Sequence, residues 1–218
     1  MMDFKEQRKQ IVESLERIDY IKSSSVKKAM LKVRREDFVP SESKENAYLD
    51  TPLPIPGNAT ISAPHMHAIS LEALKLKSED KFLEVGAGSG IMQAYAYEII
   101  GKKGKVIGIE INKETYEFGK KNLERAGYTN VRFVLGDGSK GLQEEAPFDK
   151  ILISAACPDI PKPLIEQLKQ DGIILAVVGS AYGDQQLVSL TKSREGKSVR
   201  KNLLPVIFVP LKGKYGWR

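Results

Sequence analysis

The sequence predicts an α/β fold in which helices cover both faces of a mostly parallel central sheet. From Lys81 onward, short apolar runs alternate with stretches of helical periodicity. Such alternation is typical of parallel strands joined by right-handed crossovers. A glycine-rich turn joins the first of these strands to the helix after it, at the edge where open α/β sheets bind ligands. A chain of 218 residues suffices for one full hydrophobic core and is too short for two, so we expect a single domain.

The N-terminal elements are predicted from apolar spacing and capping residues. Residues from about 3 to 20, and the stretch after Ser23, carry apolar stripes at helical spacing, and we expect both helices to lie over the mouth of the sheet. The proline-rich segment 39–63 is predicted to be mostly irregular, and its apolar side chains indicate a packed, functional loop. Pro64 opens another helix, since proline suits the first helical position and Ser62 can cap it.

The rest of the chain follows a rhythm of strands and helices. Strands are predicted at 81–85, 105–109, 131–135, 148–153 and 172–178, with helices at 90–100, 113–126 and 161–169. Two further apolar stretches, 185–191 and 203–209, flank a basic hairpin (192–201) and predict an antiparallel finish to the sheet. Tyr215 and Trp217 predict a C-terminal tail that docks onto the domain.

Composition narrows the classes of protein to consider. No apolar run approaches the ~20 residues that span a bilayer, and the N-terminus lacks a signal-peptide core, so we expect no membrane partner. The single cysteine, Cys157, excludes an intrachain disulfide, fits a reducing cytoplasm and is expected to be a small buried residue. Nothing in the composition demands an interface, so we expect a monomer.

The net charge of +6 and the pI of about 9.2 leave nucleic acid open as a partner. The basic residues are, however, dispersed among acids. The densest cluster comprises Lys27, Lys28, Lys32, Arg34 and Arg35. We interpret it as a solvated helix face, and the charge does not decide the substrate.

The run from Phe82 to Gly90 is the most informative local pattern. An apolar strand ends in Glu84, and three glycines follow at alternate positions, Gly86, Gly88 and Gly90. Glycine allows a sharp turn and a close approach of ligand to backbone. The spacing differs from the Gly-x-Gly-x-x-Gly of dinucleotide sites, and with an acid before it the run resembles the S-adenosylmethionine (SAM) loop of Rossmann-like methyltransferases. The alternative is a tight turn without a ligand.

A second acid, Glu110, ends the next predicted strand roughly 20 residues after the loop, where an acidic side chain meets the ribose of a bound nucleoside. A carboxylate can accept two hydrogen bonds from a vicinal diol. An ordinary strand-end charge is the alternative for Glu110 alone. Glu84, the glycines and Glu110 in this order on successive strand–helix units favour a nucleoside site.

Several segments in order along the chain resemble the protein-L-isoaspartate O-methyltransferase family. The most specific is Thr-Ile-Ser-Ala-Pro-His at 60–65, and the others lie at 35–40, 47–55, 136–138, 146–149, 155–156, 164–168 and 208–211. Two departures are Pro-Gly-Asn-Ala at 56–59, where many members have Gly-x-Gly-Gln, and Gly-Ile-Met-Gln at 90–93, where an aromatic residue often follows the glycine.

The resemblance implies a Rossmann-like, class I SAM-dependent methyltransferase with SAM as cofactor and S-adenosyl-L-homocysteine as product. Its substrates would be L-isoaspartyl and, less well, D-aspartyl residues in damaged proteins and peptides. Methyl transfer to the free carboxylate gives an ester that closes to a succinimide, which reopens partly to normal aspartate. Because the carboxylate is already ionised at neutral pH, no general base is needed. The domain would comprise N-terminal helices and a substrate loop (1–63), a nucleotide-binding core (64–180), and C-terminal strands and tail (181–218).

The resemblance also suggests roles for individual residues. Ser62 is predicted to hold the isoaspartyl carboxylate, aided by backbone N–H groups at the helix start; capping alone is the alternative. Ala63, His65 and Val209 are predicted substrate contacts, Val209 through its backbone. The predicted cofactor-binding residues are Ile55, His67, Glu84, Gly86, Ala87, Gly88, Ser89, Gly90, Glu110, Ile111, Asp137 and Gly138.

Some of these roles have simple alternatives. Asp137 is predicted to accept a hydrogen bond from the adenine amine, although an Asp-Gly pair also suits an ordinary turn. Either His65 or His67 can be a packed, hydrogen-bonded residue, and helical spacing does not require their side chains to share a face. Two histidines without a matching acid or cysteine predict no metal site.

Two other functions remain to be weighed. An RNA or DNA base methyltransferase fits the fold, but such enzymes usually carry an Asn/Asp-Pro-Pro-aromatic element after the fourth strand to hold a flipped base. Here segment 154–159 has neither Pro-Pro nor an aromatic residue, and Cys157-Pro158 reverses the order that cytosine chemistry uses. A SAM-binding module without catalysis would make the 60–65 motif incidental. We therefore expect protein substrates and no nucleic-acid partner.

Overall fold

The computed structural model describes residues 3–193 and 198–217. Its α-helices are α1 Phe4–Arg17, α2 Ser24–Lys32, α3 Pro64–Leu74, α4 Ile91–Ile100, α5 Lys113–Arg125 and α6 Lys162–Glu166. Its strands are β1 Leu53–Ile55, β2 Ala59–Ile61, β3 Lys81–Val85, β4 Lys105–Glu110, β5 Arg132–Leu135, β6 Phe148–Cys157, β7 Leu168–Gly179, β8 Gln185–Lys192 and β9 Ser198–Val206. Short 3₁₀ helices lie at Arg35–Asp37, Ser41–Asn46, Gly138–Lys140 and Gln143–Glu145. Within the described ranges, no helix has both the length and the apolar character needed to cross a membrane.

The central sheet has seven strands in the order β5-β4-β3-β6-β7-β8-β9. Strands β3 to β7 pair in parallel, whereas β8 and β9 pair antiparallel at one side. The predicted fold class, with its antiparallel C-terminal portion, is therefore confirmed. Strand β3 lies between β4 and β6, so the chain changes direction across the sheet at β3, the place where open α/β sheets form a ligand crevice.

Alternation along the strands builds a core on each face of the sheet. Phe82 joins a cluster that includes side chains of α1 to α5, while its neighbour Leu83 joins a cluster on the other face with Leu164 of α6. Successive side chains of a strand point to opposite faces of the sheet. A strand that is apolar at successive positions is therefore buried on both faces. The second face carries less helix than expected, because α6 has only five residues.

Three predicted boundaries need correction. The helix predicted at 161–169 ends at Glu166, since Leu168 already pairs with Phe148 of β6. The segment 39–63, predicted to be mostly irregular, contains the 3₁₀ helix Ser41–Asn46 and the β1–β2 hairpin, and a second 3₁₀ helix, Arg35–Asp37, lies just before it. The last strand is Ser198–Val206, not 203–209, because pairing with β8 extends into the basic hairpin as far as Lys192 opposite Ser198. The turn of that hairpin, 194–197, lies outside the described residues.

The N-terminal helices form an outer layer. Their main packing partners are α3 and α4, which themselves cover the sheet, so they do not lie directly over its mouth as expected. The C-terminal tail docks as predicted. The Trp217 indole N–H donates to the Ala156 carbonyl at 3.0 Å, and the Lys214 N–H donates to Asp137 at 2.9 Å.

The basic cluster at 27–35 is only partly a solvated face. Lys27, Lys32 and Arg34 make ion pairs with Glu16, Glu98 and Asp37. Arg35, in contrast, is 1% exposed. It follows the end of α2, where the chain turns inward, and its Nε donates to the Ala47 carbonyl at 2.6 Å. The interpretation of Arg35 as a solvated residue was therefore wrong.

Candidate active site

Two adjoining cavities open at the carboxyl ends of β3, β4 and β6. The first has about 540 Å³ of empty space and the second about 1090 Å³, counting their open mouths. Both are lined by Thr60, Gly86, Gly88 and Ser154. They therefore form one continuous groove along the crevice beside β3.

The glycine-rich turn forms the floor between the two cavities. Gly86, Gly88 and Gly90 have φ values of +79°, +57° and +86°, so each uses backbone conformations that favour glycine. The N–H groups of Gly86 and Ala87 donate to the Ile109 carbonyl of the neighbouring strand. A Cβ at Gly90 would lie 2.8 Å from a carbon of Leu123, so this glycine lets α4 pack against α5. The predicted turn is confirmed.

Glu84 is a buried acid in the wall of the first cavity, 3% exposed. One carboxylate oxygen accepts a hydrogen bond from Gln93 and the other from Ser154. Burial raises the pKa of Glu84 to about 8, although the bonds from Ser154 and Gln93 favour the ionised form. A cation bound in this cavity would favour the ionised carboxylate.

Glu110 lies in the wall of the second cavity, at the end of β4. Its Oε2 accepts from the Gly88 N–H and its Oε1 from the Asn112 N–H, both at 3.0 Å. Each carboxylate oxygen has a second lone pair. Glu110 therefore is fixed in place by backbone groups and can still accept from a ligand.

The β1–β2 hairpin closes one side of the second cavity. Gly57 and Asn58 line it, and both have positive φ. Asn112 and Thr115, at the start of α5, donate from their side chains to the carbonyls of Gly57 and Pro56. The departure from the family pattern at 56–59 thus still forms a tight turn that is bonded to α5.

Ser62 lies between β2 and α3, half-buried, in the wall of the first cavity. The predicted capping by Ser62 is wrong, because Ala63 occupies the N-cap position of α3. Instead, Asp50 accepts from the His65 backbone N–H at 2.9 Å, from a loop 15 residues earlier. The Ser62 hydroxyl is therefore not used to cap the helix.

The two histidines lie in different surroundings. His65 is partly exposed, with its Nδ1 2.9 Å from Asp50. His67 is 6% exposed and lines the first cavity, with its ring centroid 5.6 Å from that of Tyr95 and its Nδ1 3.4 Å from Arg35. Burial, together with the nearby Arg35 charge, holds the pKa of His67 well below its usual value. Within the described ranges, no group of three or more His, Cys, Asp or Glu residues could hold a metal ion.

Asp137 is engaged elsewhere than expected. Its Oδ1 accepts from the backbone N–H and hydroxyl of Ser139, and its Oδ2 accepts from the Lys214 N–H of the tail. Burial opposes ionisation, but these hydrogen bonds outweigh it and lower the pKa of Asp137. Gly138 lines the second cavity. Contact of Asp137 with adenine stays a prediction.

The remaining predicted residues lie in or near the groove. Ala87 and Ser89 line the first cavity, and Ile111 and Val209 line the second. Ile55 is buried and packs beside Gly88, its Cδ1 3.7 Å from where a Cβ would lie. The Val209 backbone is predicted to pair with substrate; in the structure its carbonyl accepts from the Ala156 N–H at 2.8 Å. This bond joins the segment after β9 to the end of β6.

Sequence reasoning missed several residues of the site, above all Gln93, Ser154, Arg35 and Asp50. Gln93 and Ser154 are single polar residues inside the apolar runs of α4 and β6. A buried polar side chain requires a partner, so an isolated polar residue near a predicted acid is a usable signal. Arg35 and Asp50 carry no such local signal.

Comparisons with known proteins identify one family. A family model described as protein-L-isoaspartate(D-aspartate) O-methyltransferase matches residues 6–216. A protein-L-isoaspartate O-methyltransferase of Pyrococcus abyssi is 48% identical, covering 100% of both chains. That of Hyperthermus butylicus is also 48% identical, covering 99% of this chain and 92% of its own.

A solved structure extends the comparison to three dimensions. A protein-L-isoaspartate O-methyltransferase beta-aspartate methyltransferase from Plasmodium falciparum, in complex with S-adenosyl-L-homocysteine, aligns with a TM-score of 0.85. The identity is 30%, and the alignment covers 97% of this chain and 99% of that chain. With matches that span nearly its whole length, the chain belongs to the protein-L-isoaspartate (D-aspartate) O-methyltransferase family.

Proposed function

We propose that the two cavities divide the reactants of the family's reaction between them. The enzyme transfers the methyl group of SAM to the free carboxylate of L-isoaspartyl and D-aspartyl residues in damaged proteins and peptides. The second cavity would hold the nucleoside beside Glu110. The first would hold the methionine portion beside Glu84 and the substrate carboxylate beside Ser62. The observation that carries this proposal is the continuous groove from Glu110, past the glycine turn and Glu84, to Ser62.

The residues of the groove fit SAM. The methionine portion carries a positive ammonium group, and Glu84 offers a buried carboxyl group whose pKa is raised by burial, so that a cation bound beside it would favour its ionised form. The ribose carries a vicinal diol, and Glu110 offers two oxygens fixed by backbone N–H groups. The glycine turn lets a ligand approach the backbone between them.

The reaction requires alignment more than acid–base catalysis. Bound SAM supplies an electrophilic methyl group. The substrate carboxylate is ionised at neutral pH, so no proton has to be removed. Ser62 would donate a hydrogen bond to this carboxylate. The first backbone N–H groups of α3 would add no donors, because that of His65 is bonded to Asp50 and those of Met66 and His67 to the Ala63 carbonyl. Holding the reacting groups in line contributes up to about 7–11 kcal/mol in favourable cases.

The finer assignments rest on the same geometry. His67 would contact the cofactor and His65 the substrate, as the resemblance implies. Val209 would contact the substrate through groups other than its engaged carbonyl. We also propose a cytoplasmic monomer acting on protein substrates, without membrane or nucleic-acid partners. The single cysteine, Cys157, fits a protein of a reducing compartment. Its thiol is buried and donates to the Val177 carbonyl, and burial raises its pKa to about 12, which suits a structural residue.

A label-release experiment tests the function. The protein is incubated with methyl-labelled SAM and an isoaspartyl peptide, the same peptide with normal aspartate, or bulk RNA. Mild alkali then hydrolyses esters but leaves methylated bases intact. Labelled methanol released from the isoaspartyl peptide alone is the expected result. Label retained on RNA, with none on the peptide, would overturn the proposal in favour of a base methyltransferase.

A further inference from the structure

Arg35, which contacts the cavity-lining His67, is a buried residue that the proposed function leaves unexplained. Besides its bond to the Ala47 carbonyl, its guanidinium contacts His67 Nδ1 through Nη1 at 3.4 Å. Its Nη2 is buried and has no hydrogen-bond partner among the residues that the structure describes. A buried cation is costly to maintain, so Arg35 calls for a role beyond filling space.

A buried network fixes Arg35 in this position. Its backbone N–H donates to the Tyr48 oxygen at 3.2 Å, and the Tyr48 hydroxyl donates to Glu36. Arg8 of α1 donates to the same Tyr48 oxygen and lies 3.6 Å from Glu36. Tyr48 thus fixes the backbone of Arg35 and the Ala47 carbonyl fixes its Nε, while Nη1 contacts His67.

Arg35 determines which nitrogen of His67 carries a proton. A guanidinium has only donors, so the ring nitrogen facing it must accept, and a neutral imidazole then carries its proton on Nε2. The titratable groups around the ring are Arg35, Tyr95, His65 and, across the cavity wall, Glu84. Burial and the Arg35 charge keep the ring neutral.

We propose that Arg35 is a positioning residue that holds His67, which lines the first cavity, as the Nε2–H tautomer and so makes it a donor for an anionic oxygen bound there. The inference rests on the proposed function, because the oxygen it assigns is the carboxylate of the methionine portion. Glu84 and His67 would then form a matched pair, an acceptor for the ammonium group and a donor for the carboxylate. Such a pair selects a zwitterionic amino acid and disfavours a nucleoside without one.

Nuclear magnetic resonance tests the tautomer without any assay of activity. The chain has only two histidines, so long-range proton–nitrogen correlation of the full-length, histidine-labelled protein gives two patterns, and His65→Asn assigns them. We expect His67 to be neutral with the proton on Nε2 from about pH 5.5 to 8. A proton on Nδ1, or an imidazolium in this range, would overturn the inference.

Substitution of Arg35 tests its part directly. Arg35→Met removes the donor, so we expect Nδ1-protonated His67 to appear and the KM for SAM to rise about tenfold or more. The KM for the isoaspartyl peptide and kcat at saturating SAM should stay near wild type. Arg35→Lys keeps a donor and should restore part of the loss. An unchanged tautomer and an unchanged KM for SAM in a folded Arg35→Met protein would contradict the proposal.

The two proposals fail separately. If labelled methanol is released but His67 is protonated on Nδ1 in the wild-type protein, only the role of Arg35 is lost. If the isoaspartyl peptide is not methylated, the proposed function is lost whatever the tautomer of His67. Should Arg35→Met not fold, the wild-type spectrum alone still decides the tautomer.

Discussion

Glu84 and Glu110 end neighbouring strands of one sheet, yet the protein holds their carboxylates in different ways. Glu84 receives hydrogen bonds from two side chains, and burial raises its pKa to about 8. Glu110 receives two backbone N–H groups, one from the glycine turn and one from the start of the next helix. Fixed backbone donors favour the charged form, whereas burial opposes it.

The difference suggests a division of labour. At Glu84 much of the stabilisation of the charge is left to the ligand, so binding of a cation and ionisation of the acid are coupled. At Glu110 the protein itself orients the carboxylate before a neutral diol arrives. Position at a strand end therefore selects where a carboxylate lies, while its local donors determine what it binds.

The largest expected effect comes from Glu84→Gln. Removing the charge should weaken SAM binding about a hundredfold or more, because a buried ammonium loses its anionic partner. The same change should raise the melting temperature of the free protein near pH 7, since an amide, unlike Glu84, is not ionised in the unfolded chain and so removes the cost of burying an acid with a raised pKa. Calorimetric binding and thermal unfolding measure both effects, with the exposed Glu166→Gln as a matched control. Unchanged SAM affinity would contradict the role of Glu84.

Ser62→Ala should impair turnover of the substrate, whereas changes at Glu84 and Glu110 should impair SAM binding. We expect kcat for an isoaspartyl peptide to fall about tenfold or more, through loss of a charge-assisted hydrogen bond, with little change in the dissociation constant for SAM. Ser62→Thr keeps the hydroxyl and serves as the control. Steady-state kinetics and direct SAM binding distinguish these outcomes. Equal losses in turnover and SAM affinity would place Ser62 with the cofactor.

Glu110→Gln should resemble Glu84→Gln in binding but differ in stability. An amide oxygen can keep one of the two backbone N–H bonds, so we expect SAM affinity to fall only about tenfold. The free protein should melt at a lower temperature, because one N–H loses its acceptor. The same binding and unfolding experiments apply. A higher melting temperature for Glu110→Gln would break the contrast between the two acids.

The smallest expected effect is a pH dependence that follows Glu84. With a pKa of about 8 in the free protein, the ionised fraction rises about fivefold from pH 7 to 8, and SAM affinity should rise with it and then level off. Because the folded pKa is raised, this group's contribution to stability is fully present below about pH 4.5 and is lost as pH rises through about 8. Glu84→Gln should abolish the rise in affinity. A flat wild-type profile would contradict the coupling.

Local order made much of the site predictable. The strand ending in Glu84, the alternating glycines and the strand ending in Glu110 are contiguous patterns, and parallel strands bring their carboxyl ends to one edge. The structure places all three beside the same groove. The order of strands and helices was also predictable, because apolar residues recur along each element with the period of a strand or of a helix.

Other features depend on contacts between distant parts of the chain. Asp50, and not Ser62, accepts from a backbone N–H in the first turn of α3. Asp137 accepts from the backbone N–H of Lys214, which lies 77 residues later in the chain. The burial of Arg35 depends on Ala47 and His67, which no local pattern links to it. In each case a polar group bonds a residue that is distant in the sequence. Sequence patterns show only the nearby candidates for such bonds.

The hydrogen bond between Asp50 and α3 bears on how a bulky protein substrate gains entry. Asp50 holds the first turn of α3 through two contacts with His65, one to its backbone N–H and one to its Nδ1, both at 2.9 Å. The loss of a helix N-cap contact typically costs only about 1 kcal/mol, so breaking these contacts would leave the sheet and its two cores intact. Entry of a bulky polypeptide beside Ser62 would then require only a local rearrangement, on the timescale of loop motions, nanoseconds to microseconds.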